Sequence, residues 1–253
     1  MAMINLWTMG RARSFAVIAL AICAGCQSGG RARSDVRLSN PASFETAHTK
    51  EHVIGHEPET CDLCDLYYKA RTHVVRIRTE DGMGTGFVVS ESGQILTNAH
   101  VVGDDDTPSV ETYEGQMFAT KTIRRGLEVD LALVQVDPPS RDWIPMKIGP
   151  VALPDVGSDV YVIGHPVGLG WTITRGIVSA VRKAGEVAPI EMIQTDAAIS
   201  PGNSGGPLLD RYGQLVGVVV SKLAGPGIES VGFAIPVSVA AEFITQTERN
   251  RNE

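Results

Sequence analysis

Gly202-Asn203-Ser204-Gly205-Gly206-Pro207 is the most informative stretch of this 253-residue chain. Glycines on both sides of a serine permit a tight turn and let another backbone come close. Such a turn can offer the hydroxyl as a nucleophile, with backbone N–H groups facing a developing negative charge. On its own the stretch would serve equally well as a Gly-rich hairpin. Its reading depends on what stands upstream.

Upstream, Leu96-Thr97-Asn98-Ala99-His100-Val101-Val102 places a histidine at the end of an apolar run that follows Gly84-Thr85-Gly86-Phe87. That pattern suits an imidazole held at a cleft. Asp130 heads the apolar run Leu131–Val136. An acid at the mouth of a buried strand needs a partner, and an imidazole is a good one. Asp104, Asp105 and Asp106 read instead as a solvated loop, and Asp196 as structural. The candidate catalytic residues are therefore His100, Asp130 and Ser204.

Working outward, short Val/Ile-rich segments separated by Gly and Asp clusters read as strands. One set covers 73–78, 86–90, 95–98, 110–113, 117–123 and 131–136. A second covers 160–163, 172–181, 191–194, 207–209, 215–221 and 231–235. Between them, 141–159 is a Pro-containing connector. Pro236 is placed to open a helix over 237–247. With no helices alternating between the strands, the pattern predicts an all-β fold: two six-stranded β-barrels and a short C-terminal helix. The 43% hydrophobic content is that of a globular protein, and a net charge of −7 argues against a nucleic-acid partner.

The first 25 residues read as a signal peptide: Arg11 and Arg13 precede an apolar run too short to span a bilayer comfortably. Ala24-Gly25-Cys26 resembles a lipoprotein cleavage box, which makes Cys26 the candidate lipidation site and predicts a membrane anchor. Cys23 departs from that pattern, and an ordinary cleaved signal or an uncleaved anchor competes with it. Residues 26–60 read as a flexible tether, 61–71 as a short helix, and 72–253 as the folded domain. Cys61 and Cys64 are expected to form a disulfide. His52 and His56 beside them have zinc-ligand chemistry at a spacing that fits no standard finger; no metal is assigned, and a zinc-dependent assembly module in the tail stands as the alternative to the disulfide. Gly82-Met83-Gly84-Thr85-Gly86 mimics a phosphate loop, but a strand follows it where a helix is required.

The order His, Asp, Ser is that of chymotrypsin-like barrel proteases. Residues 72–247 resemble the protease domain of the HtrA (Deg) family. The resemblance rests on Gly84–Phe87, Thr97–Val102, Asp130–Val134, Gly164–Gly170, Gly176–Ser179, Gln194–Ala198, Gly202–Pro207 and Gly232–Pro236. It implies perpendicular barrels with the site between them and a serine endopeptidase needing no cofactor. Ser204 would be the nucleophile, His100 the base and Asp130 its orienting acid, with an oxyanion hole from the N–H groups of Gly202 and Ser204. It also implies unfolded or damaged envelope polypeptides as substrates, and a homotrimer built through N-terminal aromatics, here Tyr67 and Tyr68. A chaperone or binding module that has kept a protease fold is the alternative.

There are departures. The family carries C-terminal PDZ domains, whereas this chain stops at Glu253, so peptide sensing by a PDZ domain is not expected in this polypeptide. His165 stands where the family has Asn and reads as loop structure. Arg182 and Lys183 occupy the loop where the family places an activating Arg, and either could fill that role. In trypsin-like enzymes the residue six before the nucleophile sets the pocket floor. Here it is Ala198, followed by Ile199, with Val220 and Ser221 in the expected wall. A buried cation would have no counter-charge there, so cleavage after small or medium aliphatic residues is expected.

Overall fold

A computed structural model describes residues 62–136, 143–149, 152–166, 170–222 and 230–252. The signal, the tether, Cys26, His52, His56 and Cys61 lie outside the described residues. Helix α1 (Asp62–Ala70) carries Asp62 and Asp65 in its first turn and Lys69 in its last, which suits the helix dipole. It buries Leu66 and Ala70, spaced i,i+4 on one face. A single 3₁₀ turn at Arg71–His73 leads into the first strand.

Two closed antiparallel barrels follow. Barrel one comprises β1 (Val74–Arg78), β2 (Met83–Val88), β3 (Gln94–Thr97), β4 (Ser109–Thr112), β5 (Met117–Gly126) and β6 (Leu131–Val136). Helix α2 (Ala99–Val102) is one turn inserted after β3. Barrel two comprises β7 (Asp159–Gly164), β8 (Thr172–Arg182), β9 (Met192–Thr195), β10 (Pro207–Leu209), β11 (Leu215–Lys222) and β12 (Gly232–Pro236). Helix α3 (Val237–Asn252) closes the chain directly after Pro236.

Strands β6, β7 and β10 read as near-continuous apolar runs because both of their faces are buried. In β6, Ala132, Val134 and Val136 point into barrel one with Val75, Ile77 and Ile95. Leu131 and Leu133 point outward and meet Tyr161, Ile163, Leu209, Leu215 and Val218 of barrel two. β7 alternates the same way: Val160 and Val162 fill barrel two with Val178, Ile193 and Val219. A slip of one residue would exchange the two cores, so register is strongly specified. Bulges interrupt the β5–β6, β8–β9, β10–β11 and β11–β12 ladders, giving the bends that closure needs.

Helix α3 seats Val237, Ala240 and Phe243 on the shared core. Arg124 of β5 ties it to barrel one through the Phe243 carbonyl at 3.1 Å, Thr247 Oγ1 at 3.0 Å and Gln246 Oε1 at 3.0 Å. No helix among the described residues is long and apolar enough to cross a membrane.

Candidate active site

His100 sits in α2 and Asp130 at the mouth of β6, 30 residues apart and hydrogen-bonded twice. Asp130 Oδ1 accepts from the His100 backbone N–H at 3.0 Å, and Oδ2 from its Nδ1 at 2.8 Å. A carboxylate only accepts, so Nδ1 carries the proton and Nε2 is left as the basic lone pair. Asp130 adopts φ +52°, a left-handed conformation that Asp tolerates better than most residues. Its carbonyl accepts from Asn98 Nδ2 at 2.9 Å and from the Ala99 N–H at 3.2 Å. The backbone of the β5–β6 turn thus grips the start of α2, and the two side chains meet as a consequence.

Ser204 lies in the turn between β9 and β10. The Asn203 N–H donates to Ser200 O at 3.0 Å, Gly205 N–H to Val219 O at 2.8 Å and Gly206 N–H to Asn203 O at 2.9 Å. The N–H groups of Gly202 and Ser204 find no acceptor among the described residues. Gly202 has φ +101° and Gly205 φ +81°. A Cβ on Gly205 would lie 2.2 Å from both Thr85 O and Thr97 Oγ1, so only glycine fits. The loop therefore presses directly on the strands that lead to His100. The Ser204 hydroxyl donates to Val220 O at 2.7 Å, and Val220 is the extra residue of the β11 bulge. Its single proton is thereby committed away from the imidazole.

Ile199 is buried in the core of barrel two. A Cβ on Gly232 of β12 would fall 2.4 Å from Ile199 Cδ1, so Ile199 occupies the space above that glycine. Ala198 is exposed and its carbonyl accepts from Thr174 Oγ1 at 2.9 Å. Val220 is half-buried against the shared core, and the backbone of Ser221 continues β11. Asp196 caps the Ile177 N–H at 2.7 Å. Asp106 pairs with Arg125 at 2.9 Å and Asp105 accepts from the Thr107 N–H, as suits an exposed loop. Arg182 forks onto Gln194 Oε1 at 2.9 and 2.7 Å. Cys64 is disulfide-bonded, with its partner outside the described residues.

His165 is fully buried against Trp171, ring centroids 3.8 Å apart, and neither ring nitrogen has a partner among the described residues. Burial, helped by the charge of Arg76, pushes its pKa down to about 4. Burial also pushes the nearby Glu111 carboxyl up, but hydrogen bonds and charge from Arg76 and Arg78 outweigh this and hold it below its usual value. Tyr67 of α1 donates to Trp171 O at 3.0 Å, while Tyr68 is exposed. The sequence signal for Thr85 went unread. It is a hydroxyl inside Gly84-Thr85-Gly86, fully buried, where only a bonded polar group is tolerated.

Residues 84–218 match the model of the trypsin-like peptidase domain, a span containing His100, Asp130 and Ser204. The chain belongs to the trypsin-like peptidase family. Within it, the peptidase domain resembles HtrA- and Deg-type proteases. It is 37% identical over 179 residues to the chloroplastic Protease Do-like 1 of Arabidopsis thaliana, covering 68% of this chain and 41% of that one. It is 39% identical over 166 residues to a probable periplasmic serine endoprotease, DegP-like, of Brucella suis, covering 64% and 32%. The solved HtrA-type protease AlgW with tripeptide matches at TM-score 0.67 and 32% identity, over 72% of this chain and 62% of that one. The chain thus spans about a third to two-fifths of the length of these curated relatives.

Proposed function

We propose that the chain is a serine endopeptidase that cleaves polypeptides through an acyl-enzyme, with His100, Asp130 and Ser204 as its triad. The observation that carries this reading is the His100–Asp130 pair. Both carboxylate oxygens are engaged by one histidine, which fixes its tautomer and leaves Nε2 to act as the base. In the reaction Ser204 leaves Val220 O, passes its proton to Nε2 and attacks the substrate carbonyl. His100, now charged and stabilised by Asp130, returns the proton to the departing amine. Water then enters, gives a proton to Nε2 and attacks the ester carbonyl, and Nε2 passes that proton to the departing Ser204 oxygen as the acid product is released. The N–H groups of Gly202 and Ser204, which find no acceptor among the described residues, are the donors for the oxyanion, each worth about 3 kcal/mol in comparable holes.

An apolar specificity pocket formed by Ala198, Ile199, Val220 and Ser221 is part of this reading. Ile199, which fills the space above Gly232, carries no charge, and an uncharged pocket suits Val, Ala, Ile or Leu. Relatives named as periplasmic serine endoproteases support an exported protein, and unfolded envelope polypeptides are the substrates this reading assigns. Anchoring through lipidated Cys26, a Cys61–Cys64 disulfide and a homotrimer through Tyr67 and Tyr68 belong to the same reading.

The test is incubation of the full chain with unfolded casein, with cleavage sites mapped by mass spectrometry. Cleavage after aliphatic residues, lost in Ser204→Ala, is the expected result. Cleavage dominated by Lys and Arg would overturn the pocket. A protein that shields casein from aggregation without cutting it would favour the binding-module alternative.

A further inference from the structure

Thr85 stands on β2 of barrel one, yet its hydrogen bonds reach the nucleophile loop of barrel two. Its backbone N–H donates to Ser204 O at 2.9 Å and its Oγ1 to Gly202 O at 2.6 Å. The same Oγ1 accepts from the His165 N–H at 3.1 Å, and the Thr85 carbonyl accepts from Thr97 Oγ1 at 2.7 Å. The side chain has no solvent exposure. Every polar atom of the residue is used, and the hydroxyl both donates and accepts.

The two contacts to the loop fall on either side of the Asn203–Ser204 peptide unit. The preceding unit is held at its oxygen by Thr85 Oγ1 and at its nitrogen by Ser200 O. The following unit is held at its oxygen by the Thr85 N–H and at its nitrogen by Val219 O. A peptide unit is planar, so fixing an oxygen also fixes the hydrogen on its far side. Between two pinned planes, the Ser204 N–H has little freedom to leave the cleft. Gly202, at φ +101°, is the weak point, because glycine lets a peptide plane turn at small cost.

We infer that Thr85 is a positioning residue for the oxyanion hole: its hydroxyl holds the Gly202 carbonyl and thereby keeps the Ser204 N–H directed at the cleft. The inference rests on the serine-peptidase reading above. Without the hydroxyl, two buried groups, Gly202 O and the His165 N–H, lose their partner together. A buried carbonyl so orphaned is driven to turn toward solvent, carrying its peptide plane with it. The backbone bond from Thr85 to Ser204 O survives any side-chain change, so substitution isolates the hydroxyl from the tie between the barrels.

The experiment uses the full chain and a fluorogenic peptide with an aliphatic residue before the scissile bond. Thr85→Val keeps the shape and removes the hydroxyl; Thr85→Ser keeps the hydroxyl. Thr85→Val is expected to lower kcat by about 10–100-fold, below the 10²–10³ of outright donor loss, with KM within about threefold. A peptide aldehyde, whose adduct carries the oxyanion, should weaken by the same factor, while a cleaved product peptide should bind unchanged. Thr85→Ser should restore kcat to within about threefold of wild type. Should the valine variant fail to fold, Thr85→Ala against Thr85→Ser poses the same question, since they differ by one hydroxyl. Unchanged kcat in Thr85→Val, or equal losses of aldehyde and product binding, would overturn the inference alone. A wild-type chain with neither turnover nor fluorophosphonate labelling at Ser204 would overturn the peptidase reading, and this inference with it.

Discussion

His100 meets two oxygens of Asp130 at 2.8 and 3.0 Å, whereas the Ser204 hydroxyl gives its proton to Val220 O at 2.7 Å. The first arrangement is made inside barrel one, from α2 and the turn before β6. The second belongs to barrel two, and the loop that carries it is held across the barrel boundary by Thr85. The proposed base is therefore a product of one barrel's own fold. The proposed nucleophile and its oxyanion donors depend on how the barrels meet. Disturbance of the boundary should reach Ser204 and leave the His100–Asp130 pair standing.

Removing each half in turn gives the largest effects. Ser204→Ala should lower turnover by about 10⁶, leaving stability within about 1 kcal/mol because only one half-buried hydrogen bond goes. Asp130→Asn should cost about 10⁴, since an amide can donate to Nδ1 and so put the imidazole in the wrong tautomer. Steady-state kinetics with denaturant unfolding would check both. An Asp130→Asn enzyme of near wild-type rate would show that the pair is structural.

Most of the fold was legible because strands buried on two faces write apolar runs that Gly and Asp interrupt. β6 and β10 were located to the residue. β2 was begun three residues late, at Gly86, because Gly84 and Gly86 look like breakers. They are glycine for another reason: a Cβ on Gly84 would strike Val101, and one on Gly86 would strike Ile77 and Ile95. Helix α2 is not legible in the sequence, since a single four-residue turn has no periodicity. At the candidate site, local motifs single out His100, Asp130 and Ser204, and the structure brings the first two together. The bond from Thr85 to Gly202 spans 117 residues, and the fork of Arg124 on α3 about as many. Such pairings exist only after the barrels close, and no local pattern encodes them.

A third test lies at the boundary, where His165 faces Trp171 and lies within reach of the charges of Arg76, Arg78 and Glu111. Its pKa is about 4 in the folded chain against an ordinary 6.5. The unfolded chain therefore takes up a proton first as pH falls. Stability from this group is complete above about pH 6.5, is lost as pH falls toward 4, and amounts to about 3 kcal/mol at most. His165→Phe, which puts an apolar ring where neither ring nitrogen has a partner among the described residues, should flatten the stability profile between pH 6.5 and 4. Urea unfolding at stepped pH would show it, and an unchanged slope would remove His165 from the acid response.

The smallest expected effect probes whether barrel one's half of the site is self-sufficient. Arg124 precedes Asp130 by six residues, and its guanidinium lies over the Phe243 ring, 4.4 Å from the centroid, while donating to three groups of α3. Arg124→Ala removes that fork and should cost about 1–2 kcal/mol, loosening the end of α3. Arg124→Lys should recover less than half, because an ammonium cannot reproduce a planar three-way contact. Asp130 is held separately, by Asn98, Ala99 and His100, so kcat should stay within about threefold. Hydrogen exchange along α3 would register the loosening, and the low-field imidazole N–H proton resonance would report the His100–Asp130 bond. Loss of that resonance in Arg124→Ala would show that the C-terminal helix props up the base, and that the two halves of the site are coupled after all.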